Sequence, residues 1–300
     1  MRFGLVGTGP WARIAQGPGL VAAPDAELVG VWGRSPEKAA VLAAELGPEH
    51  DIAAYDDFEA LLDDVEAVAF CVPPDVQVAL AGVAARAGKH LLLDKPMGTD
   101  PAAARALAEE VRTAGVASLV LFTDRFAPAY RAWLEQVRAS GGWLGAWTLW
   151  LTALDAPDNP FRDSPWRWER GALWDIGPHV LSTLDATLGP VTHLRALPGQ
   201  GDAVTLVLRH ESGATSSATL SLFTPPAAIT HDTTLWGPAG LSTMPGRTKG
   251  QETECVAVAV GELVACARSG RTHELDATFG ARVTELLADA QAQLEAALEA

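Results

Sequence analysis

Residues 2–12 read Arg2-Phe3-Gly4-Leu5-Val6-Gly7-Thr8-Gly9-Pro10-Trp11-Ala12. Phe3, Leu5 and Val6 make an apolar run of strand length, and the chain can turn helical from about Trp11. The glycines between them fit the pattern G-x-G-x-x-A in a strand–turn–helix context. There the first glycine permits a tight turn, and the second lets the backbone approach a pyrophosphate. The small Ala12 lets helix and strand pack closely. Amides at the helix start, aided by the helix dipole, face the two phosphates. Gly7, Thr8, Gly9, Pro10 and Trp11 are therefore candidate dinucleotide contacts.

A second unit follows the first, with a strand at 27–32 and a helix at 36–46. Where NAD-binding chains carry a carboxylate for the ribose 2′-hydroxyl, this one reads Trp32-Gly33-Arg34-Ser35. Arg34 can pair with a 2′-phosphate and Ser35 can add a hydrogen bond, which favours NADP(H) over NAD(H). The alternative is that Arg34 is a solvated turn residue. A strand at 67–72 then runs into Pro73-Pro74 and a helix at 75–87. A strand at 90–93 leads into Asp94-Lys95-Pro96, followed by a helix at 101–114 and a strand at 116–122. Such alternation predicts a doubly wound parallel sheet with its ligand beyond the strands' carboxyl ends. Val72, Pro73, Pro74, Asp94, Lys95 and Pro96 fall at that edge. A lysine there suits proton chemistry or a substrate hydroxyl, although most lysines are only solvated.

Three hundred residues with 48% hydrophobic and 20% charged side chains suit a globular protein with a real core. A net charge of −15 offers no basic stripe, so no nucleic-acid partner is expected. Cys71, Cys255 and Cys266 are odd in number and far apart, as reduced cytosolic thiols are. The motif begins almost at Met1, leaving no room for a signal peptide, and no apolar run approaches the ~18 residues of a membrane span. A soluble, cytoplasmic protein is expected. His50, His90, His193, His210, His231 and His273 show no metal-like spacing, so no metal site is expected.

The second half changes character. A helix at 126–140 ends at Ser140-Gly141-Gly142, and five strands follow near 146–152, 192–196, 203–209, 214–222 and 229–236. Alternations such as Val204-Leu206-Leu208 predict a largely antiparallel open sheet with helices on one face. The tail from about Phe279 to Ala300 is amphipathic and helical. The expected class is α/β. A Rossmann-type dinucleotide-binding domain would occupy 1–122 and an α+β domain 123–300.

Within that half lies Trp166-Arg167-Trp168-Glu169-Arg170-Gly171-Ala172-Leu173-Trp174-Asp175-Ile176-Gly177-Pro178-His179. Pro178 fits a helix only in its first turn, which predicts a helix from about Gly177 to Leu188. Asp175 then sits at or just before the cap, with His179 about one turn further on. A carboxylate beside an imidazole fixes its tautomer and raises its basicity, as a general base requires. Equally, Asp175 can be a plain helix cap and His179 a satisfied core histidine. Trp166 and Arg167 are candidate substrate contacts, as an aromatic plane and a hydroxyl or carboxylate ligand.

The segments GTGPWA, CVPP, AGKHLLLDKP, Arg125-Phe126-Ala127-Pro128 and WDIGPH together resemble the Gfo/Idh/MocA oxidoreductases over nearly the whole chain. The resemblance implies a hydride transfer between a nicotinamide and a secondary alcohol or carbonyl of a sugar, polyol or related small molecule. It assigns catalysis to Lys95, Asp175 and His179, makes the Lys95–Pro96 peptide cis, and makes the protein a homo-oligomer (dimer or tetramer) through its C-terminal sheet. A cis bond has a prior of only ~5–6% for an X–Pro pair. Two residues depart from the family pattern: Asp94 stands where Glu is usual, and Gln77 where many members have His. Two rival readings remain in the same fold: an NAD-dependent glycosidase-type enzyme, and a non-enzymatic NADP-binding sensor.

Overall fold

Strand β1 (Arg2–Val6) lies inside a six-stranded sheet with β2 (Glu27–Trp32), β3 (Ala53–Tyr55), β4 (Ala67–Phe70), β5 (His90–Asp94) and β6 (Ser118–Leu121). In this computed structural model the described residues are 1–48, 51–246, 248 and 250–299. His50, screened above for metal spacing, and Ala300, the end of the expected tail, lie outside them. The strand order is β3-β2-β1-β4-β5-β6 with every neighbour parallel. This is the doubly wound order in which the chain reverses direction across the sheet at β1 and β4.

Local chemistry sets the helix ends. After a π-helical turn at Ala12–Gln16 comes α1 (Gly17–Ala22), followed by α2 (Pro36–Leu46), α3 (Phe58–Asp64), α4 (Pro74–Arg86) and α5 (Pro101–Ala114). Ser35 caps α2 by accepting from the Lys38 amide, and Asp100 caps α5 by accepting from Ala103 at 2.7 Å. A proline follows each cap, where its missing N–H costs nothing. The short β3 and α3 were not expected, because β3 is largely exposed and shows no apolar alternation.

The second sheet starts after α6 (Pro128–Ser140) with β7 (Gly145–Leu151). The helices α7 (Pro165–Asp175) and α8 (Gly177–Leu188) come next, then β8 (Val191–Pro198), β9 (Val204–His210), β10 (Thr215–Ser221), β11 (Thr230–Gly237) and β12 (Gly240–Thr243). Its order is β12-β11-β7-β10-β9-β8, antiparallel except for the β7–β10 pair. Five strands were expected; the sixth, β12, is four mostly exposed residues with no alternation to betray it. The fold is therefore α/β, a parallel Rossmann-type sheet plus a mostly antiparallel one.

Pairing registers separate the faces of the second sheet. Ala146 and Thr148 pair across β11 with Leu235 and Thr233, and all four are buried. Trp147 and Leu149 point the other way and are 41% and 38% exposed, joined on that face by Val207, Leu197, Trp236 and Leu241.

The last helices, α9 (Glu252–Ser269) and α10 (Ala277–Leu298), complete the chain. Two compact units result, one of Met1–Phe126 with Thr248–Thr284, the other of Ala127–Arg247 with Glu285–Ala300. Segment 248–284, which chain order counts with the second half, thus folds with the first sheet. Cys255, Val256, Ala259, Val260, Leu263 and Val264 of α9 are buried in one stripe. The amide of Val120 in β6 donates to Leu275 O at 2.7 Å, and Phe122 meets Phe279 edge-on at 5.5 Å. Among the described residues no helix is long and apolar enough to cross a membrane.

Candidate active site

In the first unit, β1 ends against the exit of β4. The Gly7 amide donates to Trp32 O at 2.8 Å and that of Cys71 to Val6 O at 2.7 Å. Gly7 has φ +122°, and a Cβ there would press into the carbonyl of Cys71, so this turn requires glycine. Gly9 differs: its φ is not left-handed, and an added Cβ would meet no protein atom within 4 Å. The fold itself makes no demand for glycine there, and the bare backbone fits the close approach of a pyrophosphate. The helix then opens with Arg13 N donating to Gly9 O at 3.3 Å. Thr8 and Trp11 are half-buried and Pro10 is exposed.

Beyond β4 come Val72 and Pro73, with Pro74 opening α4. Cys71, just before them, donates its thiol hydrogen to Gln16 Oε1, and burial first, then the charge of Asp94, pushes its pKa well up. A thiol held protonated is no nucleophile. After β2, Arg34 is exposed, while Ser35 is engaged at the cap of α2 and also donates to Glu37 Oε2 at 2.7 Å. That bond holds the pKa of the exposed Glu37 carboxyl below its usual value. A carboxylate therefore stands beside the residues expected to take a 2′-phosphate.

Asp94 ends β5, Lys95 and Asp94 are half-buried, and Pro96 is buried. The Lys95 amide donates to Asp94 Oδ1 at 2.8 Å, and the Lys95–Pro96 bond is cis.

The second unit assembles the other group. Residues 165–175, to which no helix was assigned from sequence, form α7, broken at Gly171 with φ +67°. α8 starts at Gly177 and ends at Leu188, with Pro178 in its first turn, as Pro178 predicted. Asp175 stands just before Ile176, the N-cap residue of α8, whose own side chain makes no capping bond. The Asp175 carboxylate accepts from Arg167 Nε at 3.1 Å. The Arg167 guanidinium lies 4.2 Å from the Phe161 ring centroid, and its Nη1 donates to Ser164 Oγ at 3.4 Å. Arg167 is thus tied to Asp175 rather than left open to a ligand alone.

His179 is half-buried, its ring 5.5 Å from that of Trp150, and Trp150 stacks on His231 at 3.6 Å. Of the tryptophans around the motif, Trp166 is half-buried, and its indole N–H is buried without a hydrogen-bond partner among the described residues. Trp168 is half-exposed and donates to Arg162 O, while Trp174 is core and donates to Gln291 Oε1. Phe161, Trp150 and His231 were missed from sequence. The last two become neighbours only through the β7–β11 register, which pairs them directly. No cluster of three or more His, Cys, Asp or Glu able to hold a metal ion occurs among the described residues.

Comparison with known proteins places this arrangement. Residues 1–122 match the oxidoreductase family model described as an NAD-binding Rossmann fold, and residues 138–241 match the GFO/IDH/MocA C-terminal domain. A 4-carboxy-2-hydroxymuconate-6-semialdehyde dehydrogenase of Sphingobium sp. is 27% identical over 74% of this chain and 71% of its own length. The galactose 1-dehydrogenase of Pseudomonas fluorescens is 30% identical over 66% of this chain, and the match spans 58% of that relative. The UDP-N-acetylglucosamine 3-dehydrogenase structure from Acidithiobacillus ferrooxidans superposes with a TM-score of 0.82 at 21% identity, covering 99% of each chain. An NAD-binding Rossmann sheet followed by the matching C-terminal domain makes this chain a member of the Gfo/Idh/MocA family of oxidoreductases.

Proposed function

We propose that the protein is an NAD(P)-dependent dehydrogenase or reductase acting on a CH–OH group of a sugar, polyol or related small molecule. The observation that carries the reading is the head of α8, where Asp175 is fixed by Arg167 and His179 follows one turn later. The dehydrogenase and reductase names of the relatives support it. When bound, the nicotinamide supplies or accepts the hydride. His179 exchanges the hydroxyl proton through a ring nitrogen, and Asp175 orients its imidazole. Lys95 donates a hydrogen bond from Nζ to the reacting oxygen and steadies its growing charge. Trp166 and Arg167 contact the substrate, and the stacked Trp150 and His231 extend the polar and aromatic surface beside His179.

Gly7, Thr8, Gly9, Pro10 and Trp11 hold the pyrophosphate. Val72, Pro73, Pro74, Asp94, Lys95 and Pro96 line the nicotinamide end. NADP(H) is favoured over NAD(H), with the exposed Arg34 as the 2′-phosphate ligand and Ser35 contributing through the start of α2. The exposed apolar face of the second sheet (Trp147, Leu149, Val207 and Leu241 among its residues) supports a homo-oligomer formed through that face. Three free cysteines support a reducing, cytoplasmic setting.

The test is a titration with NADH and NADPH separately, read as tryptophan quenching, followed by oxidation assays on a panel of aldoses and inositols with NAD⁺ and NADP⁺. Binding of either dinucleotide with turnover of a panel member is the expected result. Binding without any turnover would leave a dinucleotide sensor.

A further inference from the structure

The side chain of Gln77, in the first turn of α4, is fully buried and spends its amide on the segment around Lys95. Its Nε2 donates to Asp94 O at 2.9 Å and to Met97 O at 3.0 Å, and its Oε1 accepts from the Asp94 amide at 2.7 Å. The three bonds bracket Lys95, one residue before it and two after it. Nothing periodic holds this stretch, since β5 ends at Asp94 and α5 does not start until Pro101. Lys95 and Asp94 are half-buried, whereas Pro96, Met97 and Gly98 behind them are buried. Segment 94–98 is thus anchored on its inner side, with Lys95 left half-buried.

The chemistry of the anchor is selective. A carboxamide offers two N–H donors and a carbonyl acceptor, and here both donors and the acceptor are in use. A neutral imidazole offers one donor and one acceptor, so His at this position forgoes a bond. A thioether or alkyl chain of the same length forgoes all three and takes this partner from two carbonyls and an amide in a half-buried to buried setting.

We infer that Gln77 is a positioning residue, setting the places of the Lys95 ammonium and the Asp94 carboxylate through the backbone of Asp94 and Met97. The inference rests on the reading of Lys95 as the group that bonds the reacting oxygen. The Gln77 side chain is fully buried, so its effect is on geometry: a misplacement of about 1 Å is enough to cost roughly 10²-fold in rate.

The test compares wild type, Gln77→Met, Gln77→His and Lys95→Met, using whichever carbinol the wild type oxidises in the aldose and inositol panel. Peptide-resolved hydrogen exchange over residues 91–98 is measured alongside. Gln77→Met is expected to lower kcat by roughly 10–10²-fold while the dinucleotide Kd changes little, with faster exchange at the Asp94 amide. Gln77→His, which keeps a donor and an acceptor, should fall between the two in both readouts and serves if Gln77→Met does not fold. Unchanged kcat in a variant whose 91–98 exchange has risen would overturn the positioning role, and unchanged exchange would overturn the clamp itself. Should Lys95→Met retain full turnover, the reading of Lys95 fails first and the inference falls with it, an outcome separable from a failure of Gln77 alone.

Discussion

Arg167 donates from Nε to Oδ2 of Asp175 at 3.1 Å, and the two side chains are only 21% and 12% exposed. Both ends are further fixed, Arg167 by Phe161 and Ser164, Asp175 by its place at the junction of α7 and α8. The pair helps hold the carboxylate just before the head of α8 in one orientation. Replacing Arg167 by Ala strips one charged partner from a largely buried carboxylate, and the loss is about 1.5–3 kcal/mol, the scale of hydrogen bonds to charged groups. Chemical denaturation should show it as a lower midpoint with an unchanged slope. A change inside ~0.5 kcal/mol, typical of surface substitutions, would mean that the pair is ornamental.

His179→Ala tests the proton-transfer role. Dinucleotide binding should persist, because no predicted cofactor contact is removed, while kcat falls by about 10²–10⁴-fold. Undiminished turnover in a variant that binds NADPH normally would remove His179 from the chemistry.

The proposed preference for NADP(H) rests on Arg34, which has the carboxylate of Glu37 close by at the start of α2. Arg34→Ala should weaken NADPH binding by roughly tenfold or more and leave NADH nearly unchanged, since only the 2′-phosphate loses a charged partner. Glu37→Gln should act in the opposite sense, because it removes the carboxylate held by Ser35. Separate Kd values for the two dinucleotides decide this; equal losses for both would make Arg34 a general contact.

Tyr55 gives a pH dependence with a definite sign. Burial first, then its hydrogen bond to Asp64 Oδ2 at 2.7 Å, pushes the phenol up to about 12. The folded state therefore favours the protonated phenol. Its contribution is whole below the unfolded value of about 10 and is lost as pH climbs from there through about 12. Tyrosinate absorbance of the folded protein should include a component near the upper value that Tyr55→Phe removes. Stability curves of the two proteins should converge across that interval.

Trp147→Asp addresses the open face of the second sheet. Trp147 is 41% exposed and surrounded by Leu149, Trp236 and Val207 on the same face. If this face joins copies of the chain, the variant should sediment as a smaller species than wild type without loss of its thermal midpoint. Identical sedimentation would leave the patch without that role.

What the sequence by itself determined was local. The turn after β1 follows from an apolar run and two glycines. The ends of α2 and α5 follow from Ser35-Pro36 and Asp100-Pro101, and the start of α8 from the single place a proline can occupy in it. Each of these is decided by groups within a few residues of one another, so reading along the chain suffices. Tertiary structure decided everything that needed a partner. Segment 248–284 joined the first sheet although its apolar stripe looks like that of any amphipathic helix. Asp175 met Arg167 within α7, with the break at Gly171 between them. Trp150 met His231 through a strand register, and Gln77 met Asp94 and Met97 across a helix–strand contact. Periodicity records which face of an element avoids water, but it does not record which other element will cover that face; that choice is made only when the whole chain packs.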